Sequence, residues 1–213
     1  VPPAPTPLSV LPQPELTFDY YHQRDVFSDD PFTPETEPSQ PFTLGLLVRN
    51  TGAGSARNVT VRSGQPRIVE NEKGLLIDFQ VVASEVFAPD ATRLLTPSLA
   101  VEIGDLEPGG VRVSRWLLKS TLQGLFLDYS ATVEHLDPLG QPAFEAVLPG
   151  NVRIHELTHL VRDPRAGADT LPDFLVNEDP ASDPDDLPDA IHLSNGSIEP
   201  VHTLASATPD GAP

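Results

Sequence analysis

The chain has 213 residues, of which 38% are hydrophobic; it contains 25 prolines, no cysteine and no methionine, and its formal net charge is −18. That charge repels phosphates, which argues against nucleic-acid binding and against anionic membrane surfaces. Without cysteine there are no disulfides or thiolate metal sites, and with no apolar run of about 18 residues no direct membrane insertion is expected.

Val1 is not a translation start, so a processed product or a segment of a longer chain is expected, with any export signal outside it. Residues 1–14, VPPAPTPLSVLPQP, carry six prolines and read as a polyproline II-like arm or linker. Its LSVL run is apolar enough to dock on a neighbouring molecule. Glu15–Tyr21 opens the folded domain, with Leu16, Phe18 and Tyr20 on one parity as a half-buried strand requires. Asp25–Pro41 is rich in Pro, Asp, Ser and Thr and reads as a long loop.

Phe42–Ser63 is the clearest element: two alternating runs around the Gly-rich turn TGAGSA, a β-hairpin. Phe42, Leu44, Leu46 and Val48 face inward, as do Val59 and Val61, while Asn58, Thr60 and Arg62 face out. A one-residue slip would expose the whole apolar set, so the register is strongly specified. Alternation continues at Leu75–Val81 and Leu99–Ile103. After the turn Glu107-Pro-Gly-Gly110, Val111 and Val113 begin a run that Trp116 and Leu118 continue on the opposite parity, which predicts a bulge near Ser114–Arg115. Leu125, Leu127, Tyr129, Ala131 and Val133 form the longest alternating run. Asp137–Gly140 turns the chain toward Phe144–Leu148, and Asn151–Val161 is the last candidate strand of the domain.

Eight or nine short strands with turn signals between them and no amphipathic helix indicate an all-β fold, an Ig-like antiparallel β-sandwich over residues 15–162. Residues 163–213 form an acidic, extended tail, with eleven acidic residues against one arginine. Leu171-Pro-Asp173 and Leu187-Pro-Asp189 stand sixteen residues apart, each before a short apolar run. These runs can lie as edge strands on this domain, pair with a neighbouring subunit, or stay disordered.

His155-Glu-Leu-Thr-His159 matches the HExxH pattern of zinc metalloproteases, in which a helix brings both histidines to one metal and the glutamate acts on bound water. Glu178 lies where a third ligand would be sought. Pro149-Gly150, Pro164 and the β-branched residues Val152, Ile154, Thr158 and Val161 favour a strand instead. In a strand the two histidines stand about 13 Å apart, too far for one zinc. The cluster Glu178, Asp179, Asp183, Asp185 and Asp186 offers oxygen ligands to calcium but lacks EF-hand spacing, and reads as a solvated acidic linker. His22, His135, His192 and His202 have no nucleophile or carboxylate at a readable spacing and default to surface or packing roles. TGAGSA precedes no helix and is no phosphate loop. No catalytic residue, cofactor site or metal ligand is therefore assigned, and no cofactor is expected. Asn58-Val-Thr60 and Asn195-Gly-Ser197 have the form of N-glycosylation acceptors, so covalently attached glycans are candidate partners.

Val48-Arg-Asn-Thr-Gly-Ala-Gly-Ser-Ala-Arg-Asn-Val-Thr-Val61 resembles the hairpin of Ig-like modules, CARDB-like adhesion domains among them, in large bacterial and archaeal surface proteins. Asp105-Leu-Glu-Pro-Gly-Gly110 resembles a turn of the same modules. The resemblance covers about a third of the chain and implies an extracellular or cell-surface setting with no catalytic residues. The expected function is a structural subunit or module of an extracellular filament or surface layer, possessing copies of itself as partners through the arm and tail. A glycan- or polymer-binding adhesion module is the alternative, and a zinc metalloprotease using the HELTH segment the second alternative.

Overall fold

The structure, a computed structural model, describes residues 12–63, 67–68, 77–87, 92–128, 131–136, 142–145, 152–162, 169–178 and 187–202. The arm up to Leu11, the run Leu75–Leu76, Tyr129, the Asp137–Gly140 turn and most of the acidic cluster (Asp179, Asp183, Asp185 and Asp186) lie outside the described residues.

Among the described residues the regular elements are all strands: β1 (Leu16–His22), β2 (Asp25–Val26), β3 (Phe42–Asn50), β4 (Ala56–Ser63), β5 (Arg67–Ile68), β6 (Phe79–Phe87), β7 (Thr92–Leu95), β8 (Ala100–Leu106), β9 (Val111–Ser120), β10 (Gly124–Asp128), β11 (Ala131–Leu136), β12 (Pro142–Glu145), β13 (Val152–Val161), β14 (Asp173–Asn177), β15 (Ala190–His192) and β16 (Ile198–Pro200). The fold is all-β. One sheet has the order β16-β15-β14-β13-β1-β3-β9-β6-β7, a second β12-β11-β4-β8, and a small third β2-β10-β5. Within the large sheet β1-β3-β9-β6 follows the A-B-E-D order of an Ig sandwich. Strand β8 takes the edge position beside β4 although it follows β6 in the chain. The large sheet is not wholly antiparallel: β1 and β13 run parallel, in register from Phe18↔Val152 to His22↔Glu156.

The inner core lies between the large sheet and the β4–β8 pair. Phe18 and Tyr20 of β1, Leu44, Leu46 and Val48 of β3, and Trp116 and Leu118 of β9 meet Val59, Val61, Val101, Ile103 and Leu106 from the opposite layer. The inward parity read from Phe42–Ser63 is the parity observed, but the expected β-hairpin is not formed. Strand β3 pairs with β1 and β9, β4 pairs with β8 and β11, and TGAGSA carries the chain from one sheet to the other, because alternation gives each strand's buried face without naming its partner. Two large polar side chains carried into this core are paired: the Trp116 indole N–H donates to the Ser98 carbonyl (3.0 Å), and the Tyr20 hydroxyl meets Ser63 Oγ at 2.9 Å.

The outer face of the large sheet is buried as well. Tyr21, Leu47, Phe87 and Val113 form a second core with Leu157, Leu171, Phe174, Val176 and Ala190. This corrects the expected bulge at Ser114–Arg115. The β3–β9 register runs unbroken from Phe42↔Leu118 to Arg49↔Val111. The parity changes because Val113 serves the outer core and Trp116 the inner one, as happens in strands buried on both faces. The irregularity lies next door, in β6, between Val81 and Ala83. A second correction concerns the long run from Leu125 to Val133. It is two strands: β10 pairs with β2 and β5, and β11 with β4 and β12. Alternation does not mark where a chain leaves one sheet for another.

Asn50, 1% exposed, ties one end of the sandwich together. Its Nδ2 donates to the carbonyls of Gly54 (2.7 Å) and Leu106 (3.0 Å). Its Oδ1 accepts from the amides of Gly52 (3.1 Å) and Glu15 (3.2 Å). The TGAGSA loop thereby cradles the entering chain, and Gly54 N–H donates to Gln13 O at 2.9 Å. A Cβ on Gly52 or Gly54 would overlap the backbone of residues 12–15, so close approach explains both glycines.

The apolar runs after the two Leu-Pro-Asp segments pair within the chain. Strand β14 lies antiparallel to β13, β15 to β14 and β16 to β15. Each aspartate of the repeat holds the other limb. Asp173 Oδ1 accepts from Ser194 N (2.7 Å), and Asp189 Oδ1 from Glu178 N (2.9 Å).

Candidate functional site

The curl of β13, β14 and β15 over the outer face concentrates the buried polar chemistry of the molecule around β1. Asp19 and Tyr21 share the outward parity of β1, and His155 stands beside Tyr21 in the parallel register. Asp19 is buried and faces two arginines and a histidine. Arg49 Nη2 donates to its Oδ2 at 2.8 Å, Arg153 Nε lies 2.7 Å from its Oδ1, and His155 Nε2 lies 3.3 Å from the same oxygen. Burial alone would raise the Asp19 pKa. The hydrogen bonds from His155 and Arg153 and the charges of Arg153 and Arg49 outweigh it and bring the pKa down to about 2.

Tyr21 is the packing centre. Its ring stacks on His155 (centroids 5.1 Å, planes 21° apart) and meets His192 edge-on at 5.4 Å. Its hydroxyl is 3.0 Å from His192 Nδ1. Burial, and then the charge of Asp19, push its pKa upward, so it is a neutral phenol at ordinary pH.

Glu178 follows β14 directly. Its Oε1 lies 2.9 Å from His155 Nδ1 and 2.5 Å from His192 Nε2. The two imidazole rings are 4.6 Å apart and inclined at 64°. The candidate ligand atoms of His155, Glu178 and His192 all lie within 4.8 Å of one another, a spacing that one metal ion can bridge. His192 is 3% exposed, and its Nε2 makes no aligned hydrogen bond despite the nearby carboxylate oxygen. Burial and the neighbouring His155 lower the His192 pKa, with Glu178 acting in the opposite sense. A shallow cleft beside the cluster is lined by Asp19, Arg49, Arg153, His192 and Gly196.

The sequence-level candidates separate clearly. His155–His159 lies in β13, a strand, so the one-turn helical geometry of HExxH is not formed. His155 points into the cluster, whereas His159 is exposed and Glu156 pairs with Arg24 at 3.3 Å. Glu178 does join His155, but the histidine that completes the group is His192, which sequence reading left to packing. The signal available was the repeat itself: pairing its two apolar runs as a hairpin sets His192 opposite Phe174, next to the HELTH strand. The glycosylation candidates Asn58 and Asn195 are both exposed. Asn58 has a left-handed backbone (φ 49°) at an irregularity between β4 and β8. Asn195 sits in the β15–β16 turn, its Oδ1 accepting from Ser197 N (2.8 Å) and Oγ (2.7 Å).

No family model matches the sequence, and no curated protein matches it. Among solved structures, the chain is similar to the CBM3a-L domain with flanking linkers from scaffoldin cipA of the cellulosome of Clostridium thermocellum, at 12% identity over 64% of this chain and 92% of that one, with a TM-score of 0.29. It is also similar to the CupB6 tip adhesin from Pseudomonas aeruginosa, at 13% identity over 80% of this chain and 52% of that one, again with a TM-score of 0.29. The chain thus spans about half of the adhesin's length. At these scores neither likeness carries a functional argument.

Proposed function

We propose that the chain is a load-bearing structural module of an extracellular surface assembly, a filament or layer, in contact with copies of itself. The observation that supports this reading is the parallel β1–β13 pair. The first strand and a late strand run side by side in the same direction. Tension drawn from the N-terminal end of β1 and the C-terminal end of β13 therefore shears the ladder. All its hydrogen bonds are strained together rather than broken one at a time. Asp19 reinforces the same strip by binding Arg49 of β3 and Arg153 of β13 across β1. Among the described residues Trp116, Tyr20 and Tyr21 are core residues, so a glycan platform would have to rest on the exposed Phe27 and Phe32.

With β14–β16 paired inside the chain, the joining segment in this reading is the arm. Leu8-Ser9-Val10-Leu11 is the longest proline-free run in residues 1–14 and suits strand addition to a neighbour's sheet edge.

Single-molecule pulling tests the mechanical reading. Handles at residues 15 and 162 load β1–β13 in shear, and handles at 42 and 118, which face each other in the antiparallel β3–β9 pair, unzip it. Shear loading is expected to need severalfold more force. Equal or lower force in shear would refute a load-bearing role. Negative-stain microscopy of the full chain beside a variant lacking residues 1–11 tests self-assembly: filaments or sheets are expected from the first and not from the second.

A further inference from the structure

We infer that His155, Glu178 and His192 bind one divalent transition-metal ion, zinc foremost, which pins the C-terminal hairpin onto the sandwich. The three donors come from three segments: β13, the residue after β14, and β15. Two imidazole nitrogens and one carboxylate are a known ligand set for zinc, with the fourth position left to water. The nitrogen donors argue against calcium and magnesium, which take oxygen.

The outer contacts of the two histidines are those a metal site requires. A metal-bound imidazole donates its other N–H to an acceptor that fixes the tautomer. His155 offers Nδ1 to the cluster while its Nε2 faces the Asp19 carboxylate. His192 offers Nε2 while its Nδ1 meets the Tyr21 hydroxyl. The buried His192 Nε2 and the Glu178 carboxylate oxygen face each other at 2.5 Å, and His155 Nδ1 faces the same oxygen at 2.9 Å, so all three donors already converge on the point an ion would take. Zinc bonds of about 2.0–2.1 Å place tetrahedral ligand atoms about 3.3 Å apart. Glu178, with its side chain 40% exposed, can open by the small rotation this needs. The inference is independent of the mechanical reading, although a metal at this point would resist peeling of β14–β16 from β13.

The experiment uses the full chain, stripped with chelator and titrated with zinc chloride in a calorimeter, with thermal melts in parallel. One ion per chain is expected, with a melting temperature about 5–10 °C higher at a hundredfold excess over Kd. Cobalt in its place should show the strong visible absorption of a four-coordinate site. Glu178→Gln, at an exposed position, and His192→Gln should each abolish the stoichiometric binding. Tyr21→Phe should weaken it about 10–100-fold. The exposed His159→Ala should bind like the parent. Absence of saturable zinc binding would overturn the inference. So would binding that survives both Glu178→Gln and His192→Gln, which would put the ion elsewhere, or binding lost in His159→Ala.

Discussion

The ring of Phe174 lies flat against that of Tyr21, with centroids 3.8 Å apart and planes 3° from parallel. Tyr21 belongs to the first strand of the sandwich and Phe174 to the segment after the first Leu-Pro-Asp, so this contact makes β14 part of the folded body. Phe174 also covers Gly45 of β3, where a Cβ would overlap the ring. Phe174→Ala should therefore cost about 3–5 kcal/mol. Gly45→Ala should displace the ring and cost about 1–3 kcal/mol. Urea unfolding followed by Trp116 fluorescence measures both; a loss below 1 kcal/mol for Phe174→Ala would mean that the hairpin does not seal the outer core.

Asn50 supplies four hydrogen bonds to three separate backbone segments from a buried position. Asn50→Ala strands several of these groups away from water, each costing about 1–3 kcal/mol. A total loss of about 3 kcal/mol is expected, together with faster proteolysis near Gln13–Glu15. Asn50→Asp keeps the acceptor but sets a carboxylate against two carbonyls, and should be no better tolerated.

The inner half of the fold was legible in the sequence because its strands follow period two with one buried face. Phe42, Leu44, Leu46, Val48, Val59 and Val61 announced their side directly. The outer half was not, because Leu47, Val113 and Tyr21 break that parity and their cover comes from far along the chain. Two of the three residues of the candidate site were visible for a misleading reason: His155 and Glu178 drew notice through a helical motif that the strand does not form. His192 was hidden because its neighbours are set by long-range strand pairing, which no local spacing encodes.

Acid should weaken the metal-free protein in two separable steps. His22 is buried, and burial followed by the charge of Arg24 lowers its pKa, partly opposed by a backbone hydrogen bond at Gln23. The unfolded chain then binds the proton more readily, so stability falls as pH drops through about 6.5. His192, also lowered, contributes in the same window. Asp19, with a folded pKa of about 2, contributes stability that is full above its unfolded value near 4 and is lost as pH falls toward 2. That contribution is about 2 kcal/mol. Urea midpoints between pH 8 and 2.5 should show a shallower drop from pH 7 to 5 in His22→Gln, and a shallower drop below pH 4 in Asp19→Asn. Profiles parallel to the parent in both variants would contradict these assignments.

Gly54, in the loop between β3 and β4, and Gly104, in β8, separate two reasons for glycine. Gly104 has φ +88° and open space where a side chain would point, so Gly104→Ala pays only for the left-handed backbone, about 1 kcal/mol. Gly54 has no such φ, but a Cβ there would overlap the Pro12 carbonyl. Gly54→Ala must therefore push the entering chain out of its cradle and break the Gly54–Gln13 hydrogen bond. The expected result is a loss of about 1–3 kcal/mol accompanied by rapid amide exchange at Gly54 and new protease cleavage near Gln13. Gly104→Ala should leave that end of the molecule protected. If both variants lost stability with the same exchange pattern, the cradle would be incidental to how the chain enters the sandwich. If only Gly54→Ala releases the entering segment, the Gly-rich β3–β4 loop is what anchors the N-terminal end of β1, the end at which tension from the arm would arrive.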